Sequence, residues 1–504
     1  MPFKITFIGA GSIGFTRTLL SDLLAVPEFR DLRIAFTDLN PENLSMVTQL
    51  CQRDIDANGL KITIEATTDR RQALTGARYI FNVVRIGGLE AFAHDVDIPL
   101  AYGVDQCVGD TLCAGGVLYG QRGIAALLEF CKDIREVAEP NALLLNYANP
   151  MAMMTWAANK YGGVRCVGLC HGVQHGHDQL AQVIQGLKND GSVVTHRDID
   201  IVCAGINHQT WYVKVLHDGQ DWTGRLLEGF EKHPVYSKTE KVRIDMLRRF
   251  GYYSTESNGH LSEYVAWYRK KPDAIPQWID LSDWINGETG GYLRICTENH
   301  NWFHTDFPHW LEEAPHAYGT ERRSREHGSY ILEGLETGRV YRGHFNVMNR
   351  GTITNLPAEC VVEVPGYVDK NGINIPSVGE LPLGAAAVCS QSVWVQRLSV
   401  EAAVTGDENL LLQALMMDPL VGAVCSPPEI AQLRDDLLIA EAQWLPQYKK
   451  AVTRALAQRL AVPRLPTREG WRGSTRQAVK TVERLATAAD EVRRRAADTN
   501  KAQH

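Results

Sequence analysis

A chain of 504 residues is longer than one hydrophobic core usually serves, so two packed lobes are expected. Hydrophobic residues at 44% and charged ones at 22% describe an ordinary globular composition. A formal charge of −7 gives no electrostatic reason to bind nucleic acid or an anionic membrane. No apolar run approaches the ~18 residues that cross a bilayer. Eleven cysteines, odd in number and without framework spacing, fit a reducing cytoplasm better than a secreted disulfide scaffold.

Met1-Pro2-Phe3-Lys4 passes straight into Ile5-Thr6-Phe7-Ile8, which reads as a strand from residue 3 and not as a leader. Gly9-Ala10-Gly11-Ser12-Ile13-Gly14 follows, then a helical pattern in which Leu19, Leu20, Leu23 and Leu24 share a face. A second strand, 32–37, ends at Asp38. Further strands are predicted at 62–64, 79–84 and 142–147, with a helix over 121–138. This alternation predicts an open, mostly parallel α/β sheet, a Rossmann-like doubly wound domain over 1–200. Beyond it the pattern turns mixed, with strand-like runs at 211–216 and 360–364, loops over 349–386, and helices at 396–417 and 428–460. We therefore expect an intimately packed mixed α+β lobe over 201–463. Residues 464–504 are rich in Lys and Arg and are expected to form a solvated, basic helical tail, although Gly470 and Gly473 interrupt its regularity.

The spacing Gly9-x-Gly11-x-x-Gly14 suits a pyrophosphate cradle. The first glycine permits the turn, the second lets backbone approach the phosphates, and the third lets helix pack on strand. Gly9, Gly11, Ser12, Ile13 and Gly14 are the predicted contacts, with free N–H groups at the helix start facing the anion. Asp38, 27 residues after Gly11, is placed to accept from ribose hydroxyls, which favours NAD over NADP; read alone, it is also a candidate helix cap before Pro41.

Two later segments end in candidate metal ligands, Gly168-Leu169-Cys170-His171 and Gly205-Ile206-Asn207-His208. A thiolate and an imidazole with open positions suit a divalent Lewis acid. By spacing alone, Cys170 reads as a buried structural cysteine and His208 as a satisfied core histidine. Gly109-Asp110-Thr111 and Asn146-Tyr147-Ala148-Asn149-Pro150 add polar residues near strand ends, where ligands of open α/β sheets sit. For Asp110 and Asn149 a local turn is the competing reading.

Together, the glycine loop, Gly109-Asp110-Thr111, Asn146-x-x-Asn149-Pro150-Met151, Gly168-Leu169-Cys170-His171 and Cys203-Ala204-Gly205-Ile206-Asn207-His208 resemble glycoside hydrolase family 4. The pattern is most similar to its melibiase-type α-galactosidases. Weaker similarity runs through 251–264, Asn355-Leu356-Pro357, Val362-Glu363-Val364 and Met416-Met417-Asp418-Pro419, leaving out 465–504. The resemblance implies an NAD- and Mn²⁺-dependent hydrolase of a small sugar substrate, outside the two-carboxylate rule for glycosidases. Implied roles are Cys170 and His208 for the metal, Asp110, Asn149 and Asn207 for the sugar, and Asn149 also for the cofactor.

His171 stands where some members carry a general acid. His260, Tyr264 and Glu256 are the candidates, in that order, for the base that removes the proton from C2. The implied sequence is oxidation at C3, deprotonation at C2, elimination, water addition and re-reduction. α-Glucosidase, α-glucuronidase and α-galacturonidase activities are the alternatives within the family. A metal-independent dehydrogenase and an inactive NAD sensor are the alternatives outside it. The family also implies a homodimer or homotetramer.

Overall fold

A computed structural model describes residues 3–501, and these carry one twelve-stranded sheet. Its strands are β1 (Lys4–Ile8), β2 (Arg33–Thr37), β3 (Ile64–Thr67), β4 (Ala77–Asn82), β5 (Leu143–Asn146), β6 (Arg165–Gly168), β7 (Ile199–Ile206), β8 (Gln209–His217), β9 (Gln220–Asp221), β10 (Tyr341–Met348), β11 (Val361–Asp369) and β12 (Gly372–Asn374). The first six lie in the order 3-2-1-4-5-6 and pair in parallel, the doubly wound arrangement with its switch point between β1 and β4. β1 is buried along its whole length, although Lys4 and Thr6 alternate with Ile5 and Phe7. The polar pair is satisfied by Glu65, 2.9 Å from Lys4 Nζ, and by the Ala73 carbonyl, to which Thr6 Oγ1 donates at 2.8 Å.

The same sheet continues past β6 through β10, β11, β7, β8 and β9, all antiparallel, with β12 paired to β11. The strands of the mixed lobe thus extend the nucleotide-type sheet. At the junction, Asn346 pairs with both Gly168 and Glu363, and Glu363 pairs with Gly205. A Cβ at Gly168 would meet Thr155 Oγ1 at 2.5 Å and Asn346 Cβ at 2.8 Å, so only glycine fits there. This close row brings the residues just after β6 and β7 into one neighbourhood.

Several boundaries differ from the sequence reading. β3 begins at Ile64, where pairing with β2 starts, although the alternation begins earlier. The helix expected over 121–138 spans Cys113–Val137. Its glycines suppress helix propensity but are required by packing: a Cβ at Gly116 would meet the Thr111 carbonyl carbon at 2.4 Å. The helix expected over 396–417 is two, Leu383–Thr405 and Glu408–Met417, divided at left-handed Gly406 (φ +68°) with Asp407 capping the second. The helix expected over 428–460 divides likewise into Pro427–Ala440 and Lys449–Ala461, with short 3₁₀ turns between them.

The tail is helical only over Val482–Lys501, and residues 502–504 lie outside the described residues. Residues 464–481 instead form an irregular strap whose backbone N–H groups satisfy buried carboxylates. Ser474 N donates to Asp105 Oδ2 (3.0 Å), Gln477 N to Glu288 Oε1 (3.2 Å) and Lys480 N to Glu298 Oε1 (2.9 Å). These carboxylates are also paired with Arg269 (Asp105) and Arg294 (Glu288 and Glu298). The strap's N–H groups fill further acceptor positions on buried ion pairs, so the strap is part of the fold. Among the described residues no helix is long and apolar enough to cross a membrane.

Candidate active site

β1 ends at Ile8 and the chain turns at Gly9 (φ +87°), where a Cβ would lie 2.9 Å from Val84. Gly11 N donates to Asp38 Oδ2 at 2.9 Å, and a Cβ on Gly11 would sit 2.8 Å from that oxygen. Asp38 also accepts from Asn40 N (2.8 Å). The cap of the helix starting at Pro41 is Asn40, which takes the N–H groups of Glu42 and Asn43, so Asp38 is not the cap. Gly9, Gly11, Ser12, Asp38 and Asn149 line a cleft of about 1060 Å³. Ser12 makes no side-chain cap bond to the helix Ile13–Leu24, which leaves first-turn N–H groups without that partner.

Gly14 departs from its expected role. It is exposed and a Cβ there would meet nothing within 4 Å, because this position faces away from the sheet. The side chain of Ile13 lies outside the described residues. Gly11→Ala is expected to push Asp38 aside and weaken NAD binding roughly tenfold, the scale of one lost charge-assisted hydrogen bond, as read by fluorescence titration with the dinucleotide.

The cleft leads into a buried polar centre. Asn149 Nδ2 donates to Asp110 Oδ2 at 2.8 Å, and Thr111 Oγ1 donates to Asp110 Oδ1 at 2.8 Å. Thr111 Oγ1 also lies 2.9 Å from His208 Nδ1, with Tyr264 OH at 3.5 Å from the same nitrogen. His208 sits with Asn207 in the two-residue turn between β7 and β8, at φ +62°. A non-glycine residue in that region costs about 1–2 kcal/mol, and such positions cluster at functional sites.

On the other face of His208, its Nε2 is 3.5 Å from Glu256 Oε2, which is 3.5 Å from Cys170 Sγ. Cys170, His208 and Glu256 thus present three ligand atoms within 4.8 Å of one another. His327 Nε2 holds the Cys170 carbonyl at 3.0 Å. His260 is packed edge-on to His208, with ring centres 4.9 Å apart. Its Nδ1 is taken by Ser257 Oγ at 2.7 Å, which leaves Nε2 for chemistry. His171 Nδ1 lies 3.3 Å from Glu326, and Asn207 Nδ2 donates to Glu363 Oε2 at 3.3 Å.

The site's electrostatics follow from burial working against close charges. Burial would raise the Glu256 carboxyl, but the imidazoles of His208, His260, His171 and His175 outweigh it and hold it at about 2. His260 is pushed down to about 4 by burial and by His208. Burial would lower His171, yet its bond to Glu326 and the Glu256 charge lift it to about 9. Burial carries the Tyr264 phenol well above its ordinary range, and the nearby carboxylates of Glu263 and Asp110 push the same way. That environment works against Tyr264 as a base.

Every sequence-selected polar residue of the sugar and metal sets thus falls in one region. Asp110, Asn149, Cys170, His208 and His260 form its connected centre, with Asn207, Tyr264 and His171 at its edge. Glu256 lies against Cys170 and His208, a placement that the sequence, which ranked it third for the base, did not give. Glu263 was missed altogether: it accepts from the backbone N–H groups of Cys107 (2.6 Å), Val108 (3.0 Å) and Gly109 (2.9 Å), and so fixes the turn that carries Asp110. Its place in Asn258–Tyr264, between His260 and Tyr264, was the available signal.

Residues 4–186 match the family model described as Family 4 glycosyl hydrolase, and residues 203–421 match the model for the C-terminal domain of that family. The chain is 58% identical over 496 residues to an α-galactosidase of Rhizobium meliloti, covering 98% of this chain and 99% of the relative. It is 34% identical over 454 residues to an α-galactosidase of Bacillus subtilis, covering 88% and 100%. Its fold is similar, at a TM-score of 0.72 and 20% identity over 89% of this chain and 100% of the other, to a 6-phospho-α-glucosidase from gut microorganisms solved with NAD and Mn²⁺.

Proposed function

Because the chain belongs to glycosyl hydrolase family 4, we propose that it hydrolyses α-galactosides with NAD and a divalent cation, Mn²⁺ for preference. The observation that carries this reading is the link between cleft and centre. Asn149 lines the glycine-loop cleft and bonds Asp110, and Asp110 shares Thr111 with His208 of the ligand triad.

The residues present fit both groups. The crowding of any Cβ at Gly9 or Gly11, and an acidic residue at the end of β2, suit a dinucleotide. One thiol, one imidazole and one carboxylate at mutual bonding range suit a divalent cation with positions left open. When bound, NAD supplies reversible oxidation at sugar C3, and the cation stabilises negative charge that develops on the neighbouring oxygens.

The chain's own residues do the rest. Asp110, braced by Asn149 and Thr111, accepts a sugar hydroxyl, and Asn207 supplies a second contact. His260, neutral and with Nε2 free, takes the C2 proton. Tyr264 and Thr111 keep His208 oriented through Nδ1, so that Nε2 faces Cys170 and Glu256. His171, braced by Glu326, donates a proton to the leaving oxygen and then receives one from the water that adds at C1. Return of the C3 carbonyl to an alcohol closes the cycle with no net change in the cofactor.

The epimer preference rests on the two relatives named α-galactosidase. The cytoplasm is proposed on the eleven cysteines, all unpaired. Assembly as a homodimer or homotetramer is proposed on apolar side chains left exposed on adjacent helices, Trp394, Met416 and Met417 among them.

Release of nitrophenol from p-nitrophenyl α-D-galactoside by protein stripped of cofactor and metal tests the reading. Turnover is expected only when NAD⁺ and Mn²⁺ are both restored. Turnover confined to the glucoside or a uronide would change the substrate and keep the chemistry. Silence on all of them would remove the glycosidase reading.

A further inference from the structure

We propose that His171, His175 and Glu256 form a second divalent-cation site, beside the Cys170–His208 centre and sharing Glu256 with it, and that Zn²⁺ bound there inhibits the enzyme. Ligand atoms of the three residues lie within 4.8 Å of one another, a set distinct from the one completed by Cys170 and His208. His171 caps the helix Gly172–Lys188 and His175 lies in its first turn, with His175 N bonded to the His171 carbonyl at 3.1 Å. The two rings therefore stand on one face at the i, i+4 spacing that lets a helix grip zinc, with centres 4.7 Å apart.

Gly172 makes room for the shared carboxylate. A Cβ there would lie 2.0 Å from Glu256 Oε2, so glycine is what lets Glu256 reach between the two histidines and Cys170. Glu326, 3.3 Å from His171 Nδ1, turns that ring and leaves its Nε2 as the ligand atom, the usual work of a carboxylate behind a ligating histidine. His175 is exposed, which provides an entry path from solvent. Two imidazoles and one carboxylate with an open position are a common zinc set, and zinc outranks Mn²⁺ on such ligands.

Inhibition rests on the assignment of His171 as the acid: a ring nitrogen that holds a cation cannot carry the proton for the leaving group. Occupancy of the site does not rest on it, so the two are measured separately. Stripped protein is dialysed against Zn²⁺ and its metal content is determined. Two equivalents are expected for the wild type and one for His175→Ala. One is also expected for Cys170→Ser, which loses the other centre, and none for the double variant.

In the Mn²⁺-supported assay, Zn²⁺ inhibition that excess Mn²⁺ cannot relieve is expected for the wild type and absent from His175→Ala, each protein being measured against its own turnover without Zn²⁺. One equivalent in the wild type, or equal zinc content in wild type and His175→Ala, would overturn the site. Two equivalents with identical inhibition of both proteins would overturn the inhibitory role. An inactive wild type that still shows the two-to-one difference would overturn the glycosidase reading and leave the site standing.

Discussion

Cys170→Ser is expected to lower turnover by roughly 10³-fold, with no recovery in excess Mn²⁺, while NAD binding stays within about twofold of the wild type. The thiol lies just past β6, with Glu256 Oε2 and Gly172 N at 3.5 and 3.4 Å. A serine hydroxyl fits the space but reaches less far and does not ionise near neutrality, so the cation loses its softest and most strongly held ligand. Gly11, Asp38 and the first turn of the following helix are untouched, so dinucleotide affinity has no reason to fall.

A merely structural cysteine predicts a different pattern. Exchanging a buried thiol for a hydroxyl would cost about 1–2 kcal/mol of stability and leave metal dependence intact. Metal titration and dinucleotide titration of the same preparation separate the two accounts. Unchanged turnover would remove Cys170 from the ligand set.

What the sequence could show depended on whether the signal was local. β1, β2, β4 and β5 are short segments rich in β-branched, aromatic and aliphatic residues that precede turn residues, and that local composition and alternation placed them to within two residues. Helix ends fared worse where packing overrules propensity, as at Gly116 and Gly120, whose missing Cβ atoms let Thr111 and Met153 approach. The division at Gly406-Asp407 was legible as a left-handed stop followed by a cap, and the apolar periodicity running across it hid both. The strap over 464–481 has no periodicity, and its purpose resides in its backbone N–H groups, which composition does not reveal.

At the site, family-like motifs delivered residues one at a time but not their adjacency. Glu256 meets Cys170 across 86 positions of chain. The row of strand pairs through Gly168, Asn346, Glu363 and Gly205 links β6 to β7, and β8, hairpinned to β7, holds the Glu256 segment by the Trp211–Ser254 pair. No pattern within a window carries such information. The i, i+4 relation of His171 and His175 is different: it was readable from the sequence, and only the carboxylate between them needed the fold.

Glu256→Gln carries the second large expectation: turnover lower by roughly 10²-fold, and Mn²⁺ affinity lower by more than tenfold. The side chain keeps its volume in this swap, so packing against Gly172 is preserved and the change is one of charge. Glu256 is buried, and only the surrounding imidazoles keep its carboxyl down at about 2. An amide there offers the cation a neutral oxygen and turns an N–H₂ toward His208 or Cys170, the atoms it must share the ion with.

Thermal unfolding distinguishes this from a role in charge balance alone. A ligand that binds the folded state raises the melting temperature in proportion to RT ln(1 + [L]/Kd), so wild-type protein should gain stability on adding Mn²⁺ and Glu256→Gln should gain little at the same concentration. If Glu256 served only to neutralise four histidines, the variant would melt lower without metal yet show the full Mn²⁺-dependent rise. Gly172→Ala supplies the check by geometry. It leaves every ionisable group in place but drives the carboxylate off its position, and it should reproduce the loss of the Mn²⁺-dependent rise if the placement of Glu256, and not its charge alone, completes the centre.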